Sequence, residues 1–118
     1  MDLEKVMKEK TFAIVGDTLN EKKYACIIKN KMIDSGYNVF SVGKELKSLN
    51  DIPEDIDIID LCINSKDGLR LMKECTKSFK GIVIQPGAES NELITYLKDK
   101  NYPFMEGCLL VGLSLYKK

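Results

Sequence analysis

The chain contains no histidine and no tryptophan, and its 18 Lys and Arg residues are balanced by 18 Asp and Glu. Without an imidazole, Ser-His-Asp and Cys-His catalysis and every zinc site built on histidine are excluded. A formal charge of zero argues against a nucleic-acid partner held through many phosphates. No apolar run approaches the roughly 18 residues that a membrane span needs. Residues 1–10, MDLEKVMKEK, alternate charged and apolar residues and offer no signal-peptide core. The four cysteines, Cys26, Cys62, Cys75 and Cys108, form no Cys-x-x-Cys pair, so a zinc site or disulfide framework has no basis. Scattered thiols of this kind read as reduced, buried small hydrophobes in a cytoplasmic, soluble protein. Neither nucleic acid nor membrane is an expected partner.

What is there suits one domain over residues 1–118, with 44% apolar residues to build its core. A chain of this length buries about 65% of its unfolded surface, enough without staples. Five short apolar runs recur: Thr11–Val15, Asn38–Val42, Ile56–Ile63, Gly81–Ile84 and the weaker Tyr102–Met105. Runs of this length with Gly or Pro at their ends predict strands buried on both faces. Between them, three- and four-residue spacing predicts helices over Asn20–Ser35, Asp67–Phe79 and Ser90–Lys100, with a short leading helix over Asp2–Lys10. Gly36 stands as a helix stop and Ser90 as an N-cap. Residues 43–55 offer one helical turn at most, and Asp51-Ile52-Pro53 reads as a turn. Strand–helix alternation predicts an α/β fold: a five-stranded parallel sheet, doubly wound into a three-layer sandwich with helices on both faces.

In such sheets ligands bind beyond the carboxyl ends of the strands, where the strand order reverses. Those ends read Gly16-Asp17-Thr18-Leu19-Asn20, Gly43-Lys44, Asn64-Ser65-Lys66 and Gln85-Pro86-Gly87-Ala88-Glu89-Ser90. Each alone is ordinary turn chemistry, but together they place polar and glycine-containing turns on one edge. The dinucleotide fingerprint G-x-G-x-x-G is absent, because positions 18 and 21 are Thr and Glu, and the G-x-x-x-x-G-K-[ST] pattern is missing too. Gly16 still allows a phosphate to approach the backbone, with the Thr18 hydroxyl and the following helix N-terminus as donors. Lys22 and Lys23 fall in the first turn of the predicted helix, against the helix dipole. They serve either a bound anion or simply a solvated surface. The Asp17 carboxylate repels a diphosphate unless it turns away.

At this point the chain resembles the small stand-alone CoA-binding proteins with a Rossmann-like fold, relatives of the CoA-binding domain of succinyl-CoA synthetase. The likeness runs through most of residues 3–110. It lies in FAIVGDT, in Ser35-Gly36-Tyr37-Asn38-Val39, in Ser48–Pro53 and in the acidic-apolar strand Ile56–Leu61. The most specific piece is Ile84-Gln85-Pro86-Gly87-Ala88-Glu89-Ser90, and Gly107-Cys108 matches the cysteine after the family's last strand. The resemblance implies a site for CoA or acyl-CoA. Gly16, Asp17 and Thr18 would line the diphosphate, with Lys23 and Tyr24 at the phosphate-contacting helix start. Val42, Gly43 and Lys44 would border the adenosine, with Lys44 within reach of the 3′-phosphate. Ile63, Asn64 and Ser65 would form the opposite wall, and Gln85 and Gly87 would face the pantetheine end. The family pattern differs in three places: a small residue replaces Asp17, Val-Asn-Pro replaces Val42-Gly43-Lys44, and the segment matching Lys44–Ser48, part of the adenine-side wall, is longer than here.

Asp17, Lys44, Lys66, Glu89 and Cys108 are the chemically competent groups near this edge, which is unremarkable in a chain that is 31% charged. The phosphohistidine of the synthetase relatives is supplied by another domain, and this chain has no histidine. The expected function is a non-catalytic module that binds CoA or acyl-CoA as a small-molecule nucleotide ligand. Two alternatives stay open. One is a thiol or redox protein using Cys108. The other is a degenerate member acting through protein contacts, with the apolar Cys108–Tyr116 tail covering a partner surface, as in a homodimer.

Overall fold

The computed structural model describes residues 1–116. Five strands form one sheet: β1 (Thr11–Gly16), β2 (Asn38–Gly43), β3 (Ile58–Cys62), β4 (Gly81–Ile84) and β5 (Phe104–Glu106). Their order is β2-β1-β3-β4-β5, and every pairing is parallel. The chain winds outward to β2 and then returns past β1 to build β3, β4 and β5. The order therefore reverses between β1 and β3, with Gly16 opposite Gly43 on one side and Cys62 on the other.

Five helices accompany the sheet: α1 (Leu3–Val6), α2 (Tyr24–Asp34), α3 (Ser65–Glu74), α4 (Asn91–Asp99) and α5 (Leu109–Leu115). All residues of β1 and β4 are buried, because alternate side chains enter two separate cores. Ala13, Val15, Ile59, Leu61, Ile82 and Ile84 pack against Leu71 and Met72 of α3 and Leu93 and Leu97 of α4. Phe12, Ile14, Ile58 and Val83 pack on the other face against Ala25, Ile28 and Met32 of α2, Val6 of α1 and Leu109 and Leu113 of α5. The fold is the expected doubly wound α/β sandwich, with helices on both faces.

Several boundaries move, each for a local reason. Helix α2 starts at Tyr24 rather than Asn20, because the preceding residues fold into side-chain-closed turns. The Asp17 carboxylate accepts from the Leu19 and Asn20 amides, and the Asn20 side chain accepts from the Lys22 amide. Lys22 thus precedes the helix, and Lys23 is its N-cap rather than part of its first turn. Strand β3 spans Ile58–Cys62, shorter at both ends than the apolar run. Helix α3 begins where Asn64 caps the Asp67 amide, and it ends at Glu74. There the Asn50 amide donates to the Glu74 carbonyl while its oxygen accepts from the Thr76 N–H. Leu49–Asp51 forms a 3-10 turn closed by a Ser48–Asp51 capping box. The apolar tail is itself a helix, α5, held down by Leu109 and Leu113, with Gly112 close against Met7. Val111, Leu115 and Tyr116 stay exposed on its outer side. No helix of the described residues is long and apolar enough to cross a membrane.

Candidate functional site

The ends of β1, β3 and β4 open onto a groove at the switch point. It has two lobes of about 390 and 550 Å³, joined through Asp17, Lys23, Ile63 and Asn64, which line both. Two glycines clear its floor. Gly16 has φ +152°, and a Cβ there would strike the Cys62 carbonyl oxygen and approach Ala25 Cβ to 2.9 Å. Gly43 has φ +125°, and its Cβ would lie 2.7 Å from the Gly16 carbonyl oxygen. Three strand ends approach this closely only because neither residue carries a side chain.

The first lobe lies over β3 and β4, and Tyr24, Cys62, Gln85 and Gly87 are part of its wall. Among the described residues, Asp17 and Lys23 are the only charged ones that line it. Tyr24 is an exposed ring at the rim. The Gln85 side chain is committed to the fold: its oxygen accepts from the buried Leu109 amide at 3.0 Å, and its nitrogen donates to Cys108 Sγ at 3.4 Å. Gln85 therefore sets the start of α5 behind the lobe. At the loop tip, the Glu89 carboxylate accepts from the Gly87 amide.

The second lobe lies between the β1 and β2 ends and α3. Lys23, Lys44, Lys47 and Arg70 line it together with Asp17 and Asp67. The acids are occupied and the lysines are not. Asp17 closes its own turn, and Asp67 accepts from the Asn64 side chain at 2.8 Å. Among the described residues, Lys23, Lys44 and Lys47 have no ion-pair partner, while Arg70 reaches Asp67 and Glu74 only at 3.9 Å. The N-terminus of α2, which opens onto both lobes, has neither a side-chain cap nor an acidic residue in its first turn. Its free N–H groups and dipole add positive potential there.

Three residues expected at the site line neither lobe. Val42 is fully buried in the core. Thr18 is also fully buried, and its hydroxyl donates to Glu45 Oε2 at 2.7 Å instead of facing a phosphate. Glu45 is further paired with Lys29 of α2, and the Thr18 hydroxyl leads the contacts that hold its carboxyl below the usual range. This ties the loop after β1 to the loop after β2 at the back of the groove. Ser65, the first residue of α3, lines neither lobe. The remaining expected residues, Gly16, Asp17, Lys23, Tyr24, Gly43, Lys44, Ile63, Asn64, Gln85 and Gly87, meet in the groove.

Beneath the first lobe, Asp60 of β3 is wholly buried between Ile14 and Val83 in the sheet. The Cys62 thiol donates to its Oδ2 at 3.0 Å, and Oδ1 has no hydrogen-bond partner among the described residues. Burial pushes the Asp60 carboxyl up to about 7. Burial also raises the Cys62 thiol, and the neighbouring Asp60 raises it further, so the sulfur in the lobe wall is held as a thiol. Cys108 caps α5 and lines neither lobe.

Sequence reasoning passed over Cys62, Lys47, Asp67 and Arg70. Cys62 was one parity count away, as the last residue of a strand ending at the switch point. Lys47 and Arg70 carry no local signal.

No curated protein matches the chain. Among solved structures, it is similar to a conserved hypothetical protein from Pyrococcus furiosus, 31% identical with a TM-score of 0.79, over 87% of this chain and 98% of that one. A hypothetical protein from Pyrococcus horikoshii shares the fold at 19% identity and a TM-score of 0.87, over 96% and 88% of the two chains. A Thermus thermophilus structure does so at 21% and 0.78, over 97% and 98%. The family model described as the CoA binding domain matches residues 10–114. With the switch-point groove in place and nearly the whole chain matched, this protein belongs to the CoA-binding domain family.

Proposed function

We propose that the groove binds CoA or an acyl-CoA as a non-catalytic module, with the nucleotide in the second lobe and the pantetheine arm in the first. The observation that carries this reading is the division of charge along one continuous groove. The second lobe has four cations against two committed carboxylates, whereas the first has one charge of each sign. A ligand with a polyanionic head and a long uncharged arm matches that division. The diphosphate lies at Gly16, Lys23 and the uncapped start of α2, where backbone N–H groups and a lysine stabilise it together. Gly43 and Lys44 border the adenosine, facing Asn64 and Ile63. Tyr24 and Gly87 flank the arm, and the main chain of Gln85 closes its far end. Asp17 tolerates the anion because its carboxylate is turned onto its own loop amides.

A binding role without catalysis is supported by the character of the groups in the groove. Cys62 is held as a thiol, because burial and the neighbouring Asp60 carboxyl both raise it, and Asp60 itself is wholly buried beneath the wall.

Thermal unfolding with CoA, acetyl-CoA, NAD and ATP tests the reading. CoA at 100 times its dissociation constant is expected to stabilise the fold by about 2.7 kcal/mol. That corresponds to a rise on the order of 10 °C for a domain of this size. NAD and ATP should give much smaller shifts. No shift with CoA compounds, or equal shifts with all four, would overturn the proposal.

A further inference from the structure

Asp60 and Cys62 alternate along β3, so both side chains project to the side of the sheet covered by α2 and α5. Among the described residues, Cys62 is the only cysteine that lines either lobe of the groove. It is also the only one whose thiol donates to a carboxylate, at 3.0 Å from Asp60 Oδ2. Cys26 is buried and accepts from Asn30, Cys75 donates to the Lys77 carbonyl, and Cys108 accepts from Gln85. Asp60 is wholly buried, and its Oδ1 has no hydrogen-bond partner among the described residues. A half-satisfied buried carboxyl costs stability, and the one side chain it meets in a hydrogen bond is the Cys62 thiol. The pair is thus a sulfur in the wall of a cavity with a proton acceptor directly behind it.

We infer that Cys62 is a covalent capture site for oxidised CoA, with Asp60 as the base that takes the thiol proton. This deepens the proposed function and rests on it, because a pantetheine arm in the first lobe brings the ligand's sulfur to the wall that carries Cys62. The step is a thiol–disulfide exchange with CoA disulfide. Cys62 Sγ attacks the sulfur of the CoA half seated in the groove while its proton passes to Asp60 Oδ2. The Sγ–sulfur bond forms, the disulfide bond of the ligand breaks, and the second CoA leaves as a thiolate. Asp60 then releases its proton to water, from which the departing thiolate is protonated. One disulfide replaces another, and no further oxidant is consumed. Unaided, the thiol is inert, since burial and Asp60 both hold it protonated. Capture therefore needs a disulfide placed against Sγ, and it selects for one that the groove binds. A reducing thiol reverses it and frees the CoA.

The test incubates the reduced protein with CoA disulfide and, separately, with glutathione disulfide at the same concentration, and follows intact mass and peptide maps over time. CoA disulfide is expected to give a single adduct at Cys62 that a reducing agent removes, forming about tenfold faster than any glutathione adduct. Cys108→Ser, which keeps Cys62, should be modified at the parent's rate. Asp60→Asn keeps the shape of the side chain but cannot take the proton, so capture should slow about a hundredfold. Its calorimetric affinity for CoA should match the parent's, because Asp60 lines neither lobe. An adduct at another cysteine, or equal rates with the two disulfides, overturns capture at Cys62. An undiminished rate in Asp60→Asn overturns the role of Asp60. No adduct in a protein that binds CoA by calorimetry overturns the capture site alone, whereas a protein that does not bind CoA overturns it together with the proposed function.

Discussion

Gly16→Ala is expected to lower the stability of the fold by about 3 kcal/mol or more and to abolish stabilisation by CoA. Two independent costs meet at this residue. The backbone sits at φ +152°, which a side-chain-bearing residue adopts only with strain of order 1–3 kcal/mol. The new methyl would also strike the Cys62 carbonyl oxygen and lie 2.9 Å from Ala25 Cβ. Neither neighbour is the flexible end of a long side chain. One is the backbone of a central strand, and the other is fixed in the first turn of α2. Overpacking at such a place costs typically 1–3 kcal/mol more. Relief requires α2 to move away from the sheet, which displaces the helix N-terminus that faces the groove. Gly87→Ala supplies the contrast, because its Cβ would meet nothing within 4 Å and only its φ of +93° is strained. Urea denaturation of the two variants beside the parent reads this directly, and a loss of under about 1 kcal/mol for Gly16→Ala would contradict the packing described.

The second large effect is a fall in stability between about pH 4 and pH 7, governed by Asp60. Its carboxyl is raised from 3.8 to about 7 by burial in the folded protein. Between those values the native state holds a proton that the unfolded chain has released. Stability therefore falls as pH rises through this interval, by up to about 4 kcal/mol at 1.36 kcal/mol for each pKa unit. Below the interval both states are protonated and the cost disappears. Glu45 and Asp57 act with the opposite sign and in a different window. Glu45 is lowered first by the Thr18 hydroxyl; burial opposes the lowering of Asp57, but the Thr11 and Lys10 amides and Lys80 prevail. Their stabilisation is present above their unfolded pKa values and is lost as pH falls through the lower folded ones. The expected profile is a maximum near pH 4–5 with a decline toward neutrality. Asp60→Asn should flatten the decline and leave the acid limb intact. Denaturant midpoints from pH 3 to pH 8 measure both, and a parallel decline in the variant would assign it to other groups.

Much of this architecture was legible from local pattern. Thr11–Val15 and Gly81–Ile84 are short, continuous and apolar because they are buried on both faces, and Ser90 caps α4 as its hydroxyl chemistry implies. Boundaries that depend on distant partners were not legible. Asn50 terminates α3 from 24 residues away, and nothing near Glu74 announces it. The Leu109–Leu115 tail looked like unpartnered apolar chain because its partners, Met7 and the α2 layer, lie at the other end of the sequence. The candidate site divides in the same way. Gly16, Gly43, Lys44, Asn64 and Gly87 sit just at or beyond strand ends, and topology alone gathers them. Lys47 and Arg70 join them only through the path of the loop after β2 and the pitch of α3. Thr18 shows the converse, since a hydroxyl in the right turn is consumed by Glu45.

The central claim, that CoA lies along the two-lobed groove, is tested most directly by mapping amide chemical-shift changes as CoA is added. Changes are expected to concentrate at Gly16, Lys23, Tyr24, Lys44, Ile63, Asn64 and Gly87, running through both lobes. Acetyl-CoA should alter the pattern chiefly in the first lobe, near Cys62 and Gly87. Changes gathered instead on the exposed side of α5, around Val111 and Leu115, or no changes at saturating CoA, would contradict it.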